Sequence, residues 1–280
     1  MQSPAANGGA LEVGVSNAAW NNLDKQNSVK YIMIAGPTAS GKSQFAIDLA
    51  RALDGEVVNA DSMQLYSDLS ILTARPSDRD MKGISHHLYG VLDGAQRASV
   101  AIWLGLAAEA MAAIWARGRM PIVIGGTGMY LDAAMNGIAP IPDVPVKIHD
   151  AVTNLYQDIG GTAFRQKLAA LDPPVAARLV DGDRQRLIRA MGVVTATGTP
   201  LSKWQAGAHE GALVGRPIKL AILPQREVLY QRIDDRFDLM LRSKVLDEVH
   251  LLANRRLDPT LPLMKALGLS ALISVLKEEI

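Results

Sequence analysis

Eight residues, Gly36-Pro37-Thr38-Ala39-Ser40-Gly41-Lys42-Ser43, fit the pattern G-x-x-x-x-G-K-[ST]. Glycines at the first and sixth positions let a tight turn point successive backbone N–H groups at one spot. A helix N-terminus just behind the turn adds a favourable dipole for phosphate oxygens. Lys42 would reach the terminal phosphates, and the Ser43 hydroxyl would ligate Mg²⁺. The chemistry expected is the holding of a diphosphate or triphosphate with magnesium. The loop alone does not say what is done with them. Its setting separates it from a turn that binds nothing. Lys30 to Ala35 reads as a short buried strand, and Gln44 to Leu53 reads as a helix with Phe45, Ala46, Leu49, Ala50 and Leu53 at helical spacing.

Other candidates fall on the same edge of a presumed sheet. Gly55 to Ala60 reads as a second strand, ending in Asp61-Ser62-Met63-Gln64-Leu65-Tyr66. A carboxylate just past a strand's C-terminal end lies on the ligand edge of an open α/β sheet. Asp61 is a metal ligand or a general base on one reading, and a turn cap through Ser62 and Met63 on the other. Pro121 to Ile124 reads as a strand running into Gly125-Gly126-Thr127-Gly128-Met129-Tyr130. This second glycine turn offers close backbone approach and the Thr127 hydroxyl to a second substrate. Between them, Asp68 to Asp93 is loop-rich. Its pair His86-His87 lacks a third metal ligand nearby; one His is expected to pack and the other to bond a loop carbonyl. Arg75 is placed to help hold phosphate.

The elements around these groups follow from pattern. Ser99 caps a helix carrying Ile102, Trp103, Leu106, Ala110, Ala113 and Ile114, which stops at Arg117-Gly118. Residues 136–145 are rich in Gly and Pro and mark a boundary. From there to about Gly215 the chain reads as short helices and turns without a strand. Inside it, Asp183 to Met191 forms a helix with Leu187, Ala190 and Met191 on one side. Arg186 and Arg189 lie close together with Gln185 beside them, a patch suited to a nucleic-acid backbone or simply a solvated face. Ile218 to Leu223 returns as a strand stopped by Pro224. Glu227 to Leu241 is a helix with Leu229, Ile233, Phe237 and Met240 or Leu241 as its buried stripe. On a neighbouring face Arg232 and Arg236 either close over a diphosphate or pair with Asp234, Asp235 or Asp238. Val245 to Leu252 continues as a helix, and a final apolar helix ends at Glu278-Glu279-Ile280.

Composition narrows the class. The 280 residues are 49% hydrophobic and 20% charged, which suits one α/β domain with an insertion. The net charge of +1 confines any nucleic-acid surface to a local patch. The absence of cysteine excludes disulfides, zinc-thiolate sites and thiol nucleophiles, and fits a cytoplasmic protein. No apolar run is long enough to span a membrane. The opening stretch, which contains Trp20, lacks the charged start and apolar core of a signal peptide and is expected to be flexible.

Taken together, the segments at 36–43, 61–66, Thr73-Ala74-Arg75-Pro76, His86-His87-Leu88, 125–130, 185–190, 226–236 and Met264-Lys265-Ala266-Leu267-Gly268 closely resemble the tRNA dimethylallyltransferase family in order and type. The resemblance covers about residues 30–270. It implies an α/β fold, a P-loop NTPase-like parallel sheet flanked by helices with an inserted all-helical domain. The expected division is a flexible extension at 1–29, a catalytic core at 30–139 plus 212–280, and a tRNA-contacting helical insertion at 140–211. The implied reaction transfers dimethylallyl from dimethylallyl diphosphate to N6 of the adenosine 3′-adjacent to the anticodon.

By the family pattern Asp61 is the base, with Thr38 and Lys42 also catalytic. Gly36, Pro37, Thr38, Ala39, Ser40, Gly41, Lys42 and Ser43 hold the diphosphate with Arg232 and Arg236, and Ser43 holds Mg²⁺. Asp61, Ser62, Met63, Gln64 and Thr127 line the adenine site. Lys147, Gln185, Arg186, Leu187, Ile188 and Arg189 contact tRNA, and the implied enzyme is a monomer. The family's basic and aromatic C-terminal segment is absent, and Gly268-Leu269-Ser270 stands where Gly-Tyr-Arg is usual. An intact active site with weaker tRNA affinity, as in a truncated form, is the expectation. Transfer to free adenine nucleotides, a P-loop kinase and a non-catalytic RNA-binding module remain as alternatives.

Overall fold

The computed structural model describes residues 29–277. The expected extension, except Val29, and the end of the chain at Glu278-Glu279-Ile280 lie outside the described residues. Five parallel strands make one sheet: β1 Val29–Ala35, β2 Gly55–Asn59, β3 His86–His87, β4 Met120–Gly125 and β5 Arg216–Ala221, in the order β3-β2-β4-β1-β5. A parallel sheet needs cover on both faces, and the alternation along β1 supplies it. Ile32 and Ile34 point one way and join Val57, Ile122 and Ile124 beneath Ala46 and Ala50 of helix α1, Lys42–Leu53. Tyr31 and Met33 point the other way, with Val58 and Val123, toward α3 and α4. These are Val100–Ala116 and Gly128–Asn136; α2 is a single turn at Asp78–Met81. Pro217 is tolerated in β5 because that strand is an edge.

The cap at Ser99 forms as expected, its hydroxyl accepting from the Ile102 N–H at 3.2 Å. The buried face of α3 is rotated from the expected one, however. It carries Trp103, Leu104, Ala107, Met111 and Ile114, and Ile102 stays 44% exposed. Trp103 sets the rotation: its indole N–H donates to the Asn59 carbonyl at 2.7 Å, and its ring stacks on Tyr130.

Between α4 and β5 the chain forms α5 Val146–Leu171, α6 Pro173–Arg178, α7 Arg184–Thr197 and α8 Leu201–Ala206, with no strand. They enclose their own apolar cluster, including Phe164, Leu168, Leu187, Met191 and Val194. Short helices were expected here, and α5 is two of them, broken at Gly160, whose φ 73° and ψ 166° are not helical. Gly161 passes so close to the Asp181 carbonyl that no Cβ fits.

After β5 come α9 Arg226–Arg242, α10 Val245–Asn254, a 3₁₀ turn at Leu263–Lys265 and α11 Leu269–Leu276. The last three pack with Tyr66 and Leu69 into a further cluster. The helix expected over Val245 to Leu252 forms as α10, set off from α9 by Lys244 at φ 65°. One expectation fails in this part. Helix α9 does not bury an apolar stripe: none of its residues is fully buried, and Phe237 is 48% exposed. Its least exposed positions are Leu229, Arg236 and Met240, and of these Arg236 and Met240 line a cavity. Among the described residues no helix is long and apolar enough to cross a membrane.

The edge of the sheet away from the P-loop is held by Glu56. Its buried carboxylate accepts from Arg117 (2.7 and 3.0 Å), Arg119 (3.2 Å) and His87 Nε2 (2.6 Å). His86 donates from Nδ1 to the Ile84 carbonyl at 2.8 Å. The histidine pair is thus an edge strand, and no group of three or more His, Cys, Asp or Glu able to hold a metal occurs among the described residues. The arginine hydrogen bonds, above all Arg117's, lower the Glu56 pKa from 4.5 to about 2. A depressed carboxylate contributes stability in full above its unfolded pKa and loses it as pH falls toward the folded one. Allowing for the half-exposed arginines, Glu56→Gln should cost roughly 2 kcal/mol at neutral pH. Urea unfolding between pH 7 and 2 should show the two proteins converging below about pH 4.

Candidate active site

The turn after β1 is shaped by near contacts. A Cβ on Gly36 would sit 2.6 Å from the Ile222 carbonyl oxygen. Gly41 takes φ 93° and Ala39 φ 61°, so the loop doubles back into the N-terminus of α1. Ser40 is only 4% exposed and its buried hydroxyl has no partner among the described residues. Lys42 donates from Nζ to the carbonyls of Gly36 (2.7 Å) and Pro37 (2.6 Å). Burial pushes its pKa down; Asp61 opposes that shift and Arg236 reinforces it. Thr38 and the Ser43 hydroxyl are exposed at the mouth of the loop.

Beside it, the end of β2 is tied into a turn by Asn59. Its amide donates to the carbonyls of Asp61 (3.0 Å) and Leu88 (2.9 Å), and its oxygen accepts the Asp61 N–H at 2.8 Å. Asp61 Oδ1 accepts the Met63 N–H at 3.0 Å, while the residue also lines a cavity of about 280 Å³ with Thr38 to Gln44, Gln64 and Gly125. The two sequence readings of Asp61 therefore coexist: one oxygen caps the turn, and the residue still faces the phosphate loop. Thr127 links the two turns, its Oγ accepting the Ser62 N–H at 3.2 Å. Gln64 donates its amide to the carbonyls of Thr73 (2.9 Å) and Ala74 (3.1 Å). The Met63 side chain packs partly into the apolar cluster around Tyr66.

Arg75, Arg216, Arg232 and Arg236 take different places. Arg236 lines the same cavity as Lys42 and Asp61, and burial lowers its pKa. Arg232 places Nη1 3.8 Å from where a Cβ on Gly41 would stand. Among the described residues neither forms an ion pair, and Asp235 is taken instead by Gln231 at 3.0 Å. Arg75 braces its own loop, donating to the carbonyls of Tyr66 (2.8 Å) and Ser67 (3.4 Å). Arg216 lies at the start of β5, opposite Val29 and away from the loop.

Tyr89 was missed by the sequence reading. With Ser43, Gln44, Ala74 and Arg236 it borders both the small cavity and a larger one of about 1020 Å³, which extends along Ile47, Ile71, Met81 and Leu239. Burial pushes its phenol well above the usual range, with Asp61 adding to the shift, so it stays a hydrogen-bond donor. The available signal was an aromatic residue two positions past the short strand of His86-His87, on the ligand edge.

On α7, Gln185, Arg186 and Arg189 are exposed, as is Lys147 in the first turn of α5. Arg186 reaches Asp183 at 3.2 Å. Leu187 and Ile188 are 0% and 7% exposed and pack inside the helical cluster, which corrects their expected contact with RNA: their side chains hold the helix.

A family profile described as IPP transferase matches residues 64–280, and one described as isopentenyl transferase matches residues 29–92. The chain belongs to the IPP transferase family. It is 47% identical to the tRNA dimethylallyltransferase of Azorhizobium caulinodans over 249 residues, 89% of this chain and 80% of that relative. It is also 47% identical to that of Rhodospirillum rubrum over 259 residues, 92% of this chain and 79% of that one. Among solved structures, a eukaryotic dimethylallyltransferase acting on tRNA aligns with a TM-score of 0.71 at 27% identity, covering 90% of this chain and 67% of that chain. The full-length tRNA isopentenylpyrophosphate transferase of Bacillus halodurans aligns at 0.58 and 31% identity, covering 90% and 78%.

The placement of the arginines has a measurable consequence. Arg236→Ala should weaken binding of magnesium pyrophosphate by about tenfold, the scale of one buried charge-assisted contact. Arg216→Ala should leave it within twofold. Isothermal titration of both variants checks this.

Proposed function

We propose that this chain transfers the dimethylallyl group of dimethylallyl diphosphate to N6 of the adenosine 3′-adjacent to the anticodon of tRNA, as a cytoplasmic monomer. The observation that carries the reading is the joint presence of Lys42, Arg236 and Asp61 on one small cavity at the ends of β1, β2 and β4. A phosphate cradle alone serves many reactions. A cradle and a carboxylate lining one cavity of about 280 Å³, in a chain of this family, suit displacement of diphosphate from carbon by an amine.

The diphosphate lies over residues 36–43, where the α1 N-terminus, Lys42 and Arg236 spread the charge that builds as the allylic C–O bond breaks. Arg232 stands at the rim of the same loop. Adenine enters beside Ser62, Gln64 and Thr127. Its N6 forms the new bond to the allylic carbon, and Asp61 takes the N6 proton as the amine becomes substituted. The electron pair of the broken bond leaves with diphosphate, so charge and atoms balance. Thr38 sits at the cradle's mouth, near the leaving oxygens.

The donor set fits Mg²⁺. The loop offers the exposed Ser43 at its helix end, and among the described residues no cage of carboxylates or imidazoles surrounds it. That ion takes one or two protein oxygens and fills its remaining positions with phosphate and water. Bound there, it would supply further neutralisation of the leaving diphosphate.

In this reading residues 30–139 and 212–280 form the catalytic core, and 140–211 contact tRNA through Lys147, Gln185, Arg186 and Arg189. An arm of this kind has no use for a free nucleotide. The target base must leave its stack to reach a pocket between two turns.

Incubation with dimethylallyl diphosphate, Mg²⁺ and unmodified tRNA, followed by digestion to nucleosides, should yield isopentenyladenosine. Hydrolysis of ATP without prenyl transfer would point to the kinase reading instead. Asp61→Asn should lower the transfer rate by about a hundredfold or more, the usual scale for a general base, with tRNA affinity kept. Arg186→Ala with Arg189→Ala should weaken tRNA binding and reduce the log–log salt slope by about 1–2, while pyrophosphate affinity holds. Filter binding between 50 and 200 mM salt reads the slope.

A further inference from the structure

Glu248 of helix α10 lies 177 residues beyond Ile71 in the chain, yet its side chain reaches back to it. Glu248, in the first turn of that helix, accepts five hydrogen bonds. Oε1 takes the Ser70 N–H (2.5 Å), the Ser70 hydroxyl (2.7 Å) and the Ile71 N–H (2.9 Å). Oε2 takes the Ile71 N–H (3.1 Å) and the Leu72 N–H (2.9 Å). Three successive backbone donors converge on one carboxylate, and no cation pairs with it among the described residues. The next residues close into a tight turn. The Thr73 hydroxyl donates to the Leu69 carbonyl (2.6 Å), the Ala74 N–H to Ile71 (2.9 Å) and the Arg75 N–H to Ser70 (2.9 Å). The outer carbonyls of that turn, on Thr73 and Ala74, are the two that hold the Gln64 amide. Thr73, Ala74 and Gln64 all line the small cavity.

We infer that Glu248 is a positioning residue for the acceptor side of the site: by clamping Ser70 to Leu72 it fixes the carbonyls that orient Gln64. With both Nε2 hydrogens committed to Thr73 and Ala74, the amide plane of Gln64 is set, and Oε1 remains its free acceptor. A purine amine entering beside Asp61 has two N–H groups, one to give up and one to be held. Gln64 Oε1 is the acceptor available for the second. The inference rests on the prenyl-transfer reading for its substrate and on the hydrogen-bond geometry alone for the clamp. A carboxylate is required because each of its oxygens meets donors only; an amide of the same shape would set an N–H₂ against backbone N–H groups.

The test is a double-mutant cycle of Glu248→Gln and Gln64→Ala, with hydrogen exchange beside it. Glu248→Gln should lower kcat/KM for tRNA about tenfold and leave magnesium pyrophosphate affinity within twofold. In the Gln64→Ala background the same change should cost less than twofold, since the group it orients is gone. By NMR, the Ser70 to Leu72 amides and the Gln64 side-chain amide should exchange at least tenfold faster in Glu248→Gln, with the amides of Ile32 to Ile34 unchanged. A loss that carries over undiminished into Gln64→Ala overturns the inference, as does unchanged exchange at Gln64. Failure of the prenyl-transfer reading shows separately, as wild-type protein that makes no isopentenyladenosine, and the exchange measurement then still decides the clamp.

Discussion

The site depends on how closely the strand ends approach. At the end of β4, a Cβ on Gly125 would lie 2.2 Å from the Ala60 carbonyl oxygen, and the Ala60 N–H donates to Ile124 at 2.7 Å. At the end of β1, Gly36 is pressed in the same way against Ile222. No side chain can stand between these strands. In a parallel sheet their C-terminal ends share one edge, so the residues that follow them are forced into a common space. Lys42, Asp61 and Thr127 are neighbours for that reason, though 85 residues separate the first from the last. The Ser62–Thr127 hydrogen bond then locks the two turns to each other.

The two edges of the sheet are treated oppositely. At the far edge, Glu56 is saturated by Arg117, Arg119 and His87, and that network is a stabilising one. At the P-loop edge the cations outnumber their partners. Lys42 and Arg236 are both buried enough to lose basicity, Arg236 depresses Lys42 further, and Asp61 alone opposes this. A fold that leaves two cations desolvated and close holds an unfavourable charge distribution that a bound polyanion would relieve. Perturbed groups converging on a cavity mark function more often than structure. Here the contrast with Glu56, in the same sheet, separates the two cases.

What could be read in advance was local. The P-loop, the Ser99 cap and the β-branched strand runs each carry their cause within a few residues. What could not be read was set from a distance. The face of α3 is decided by a hydrogen bond from Trp103 to Asn59, 44 positions away, so helical periodicity gave a stripe and missed its rotation. Periodicity also named an apolar face on α9 but not what that face would meet, and its inward position went to Arg236. Leu187 and Ile188 share a motif with Arg186 and Arg189, and motif matching does not distinguish the residues that build a helix from those it presents. Tyr89 carries only the faint sign of an aromatic just past a short strand, and Glu248 carries none; only the folded chain brings Tyr89 to the cavity and Glu248 to the loop beside it.

The same distinction bears on how the helical unit relates to the core. Helices α5 to α8 bury their own cluster, separate from those around the sheet. The chain entering the unit and the chain leaving it meet in one antiparallel bridge, Ile138 with Glu210, whose two N–H···O bonds are each 2.9 Å. Gly137 is pressed against Glu210 there, leaving no room for a Cβ. Main-chain bonds of this kind make few demands on side chains beyond that glycine. The exposed basic face of α7 and the cavity at the strand ends are thus supported by different apolar clusters. Changes on the exposed face of α7 then alter charge without disturbing the cluster that sets Lys42 and Asp61, and this is why binding and chemistry should separate under mutation.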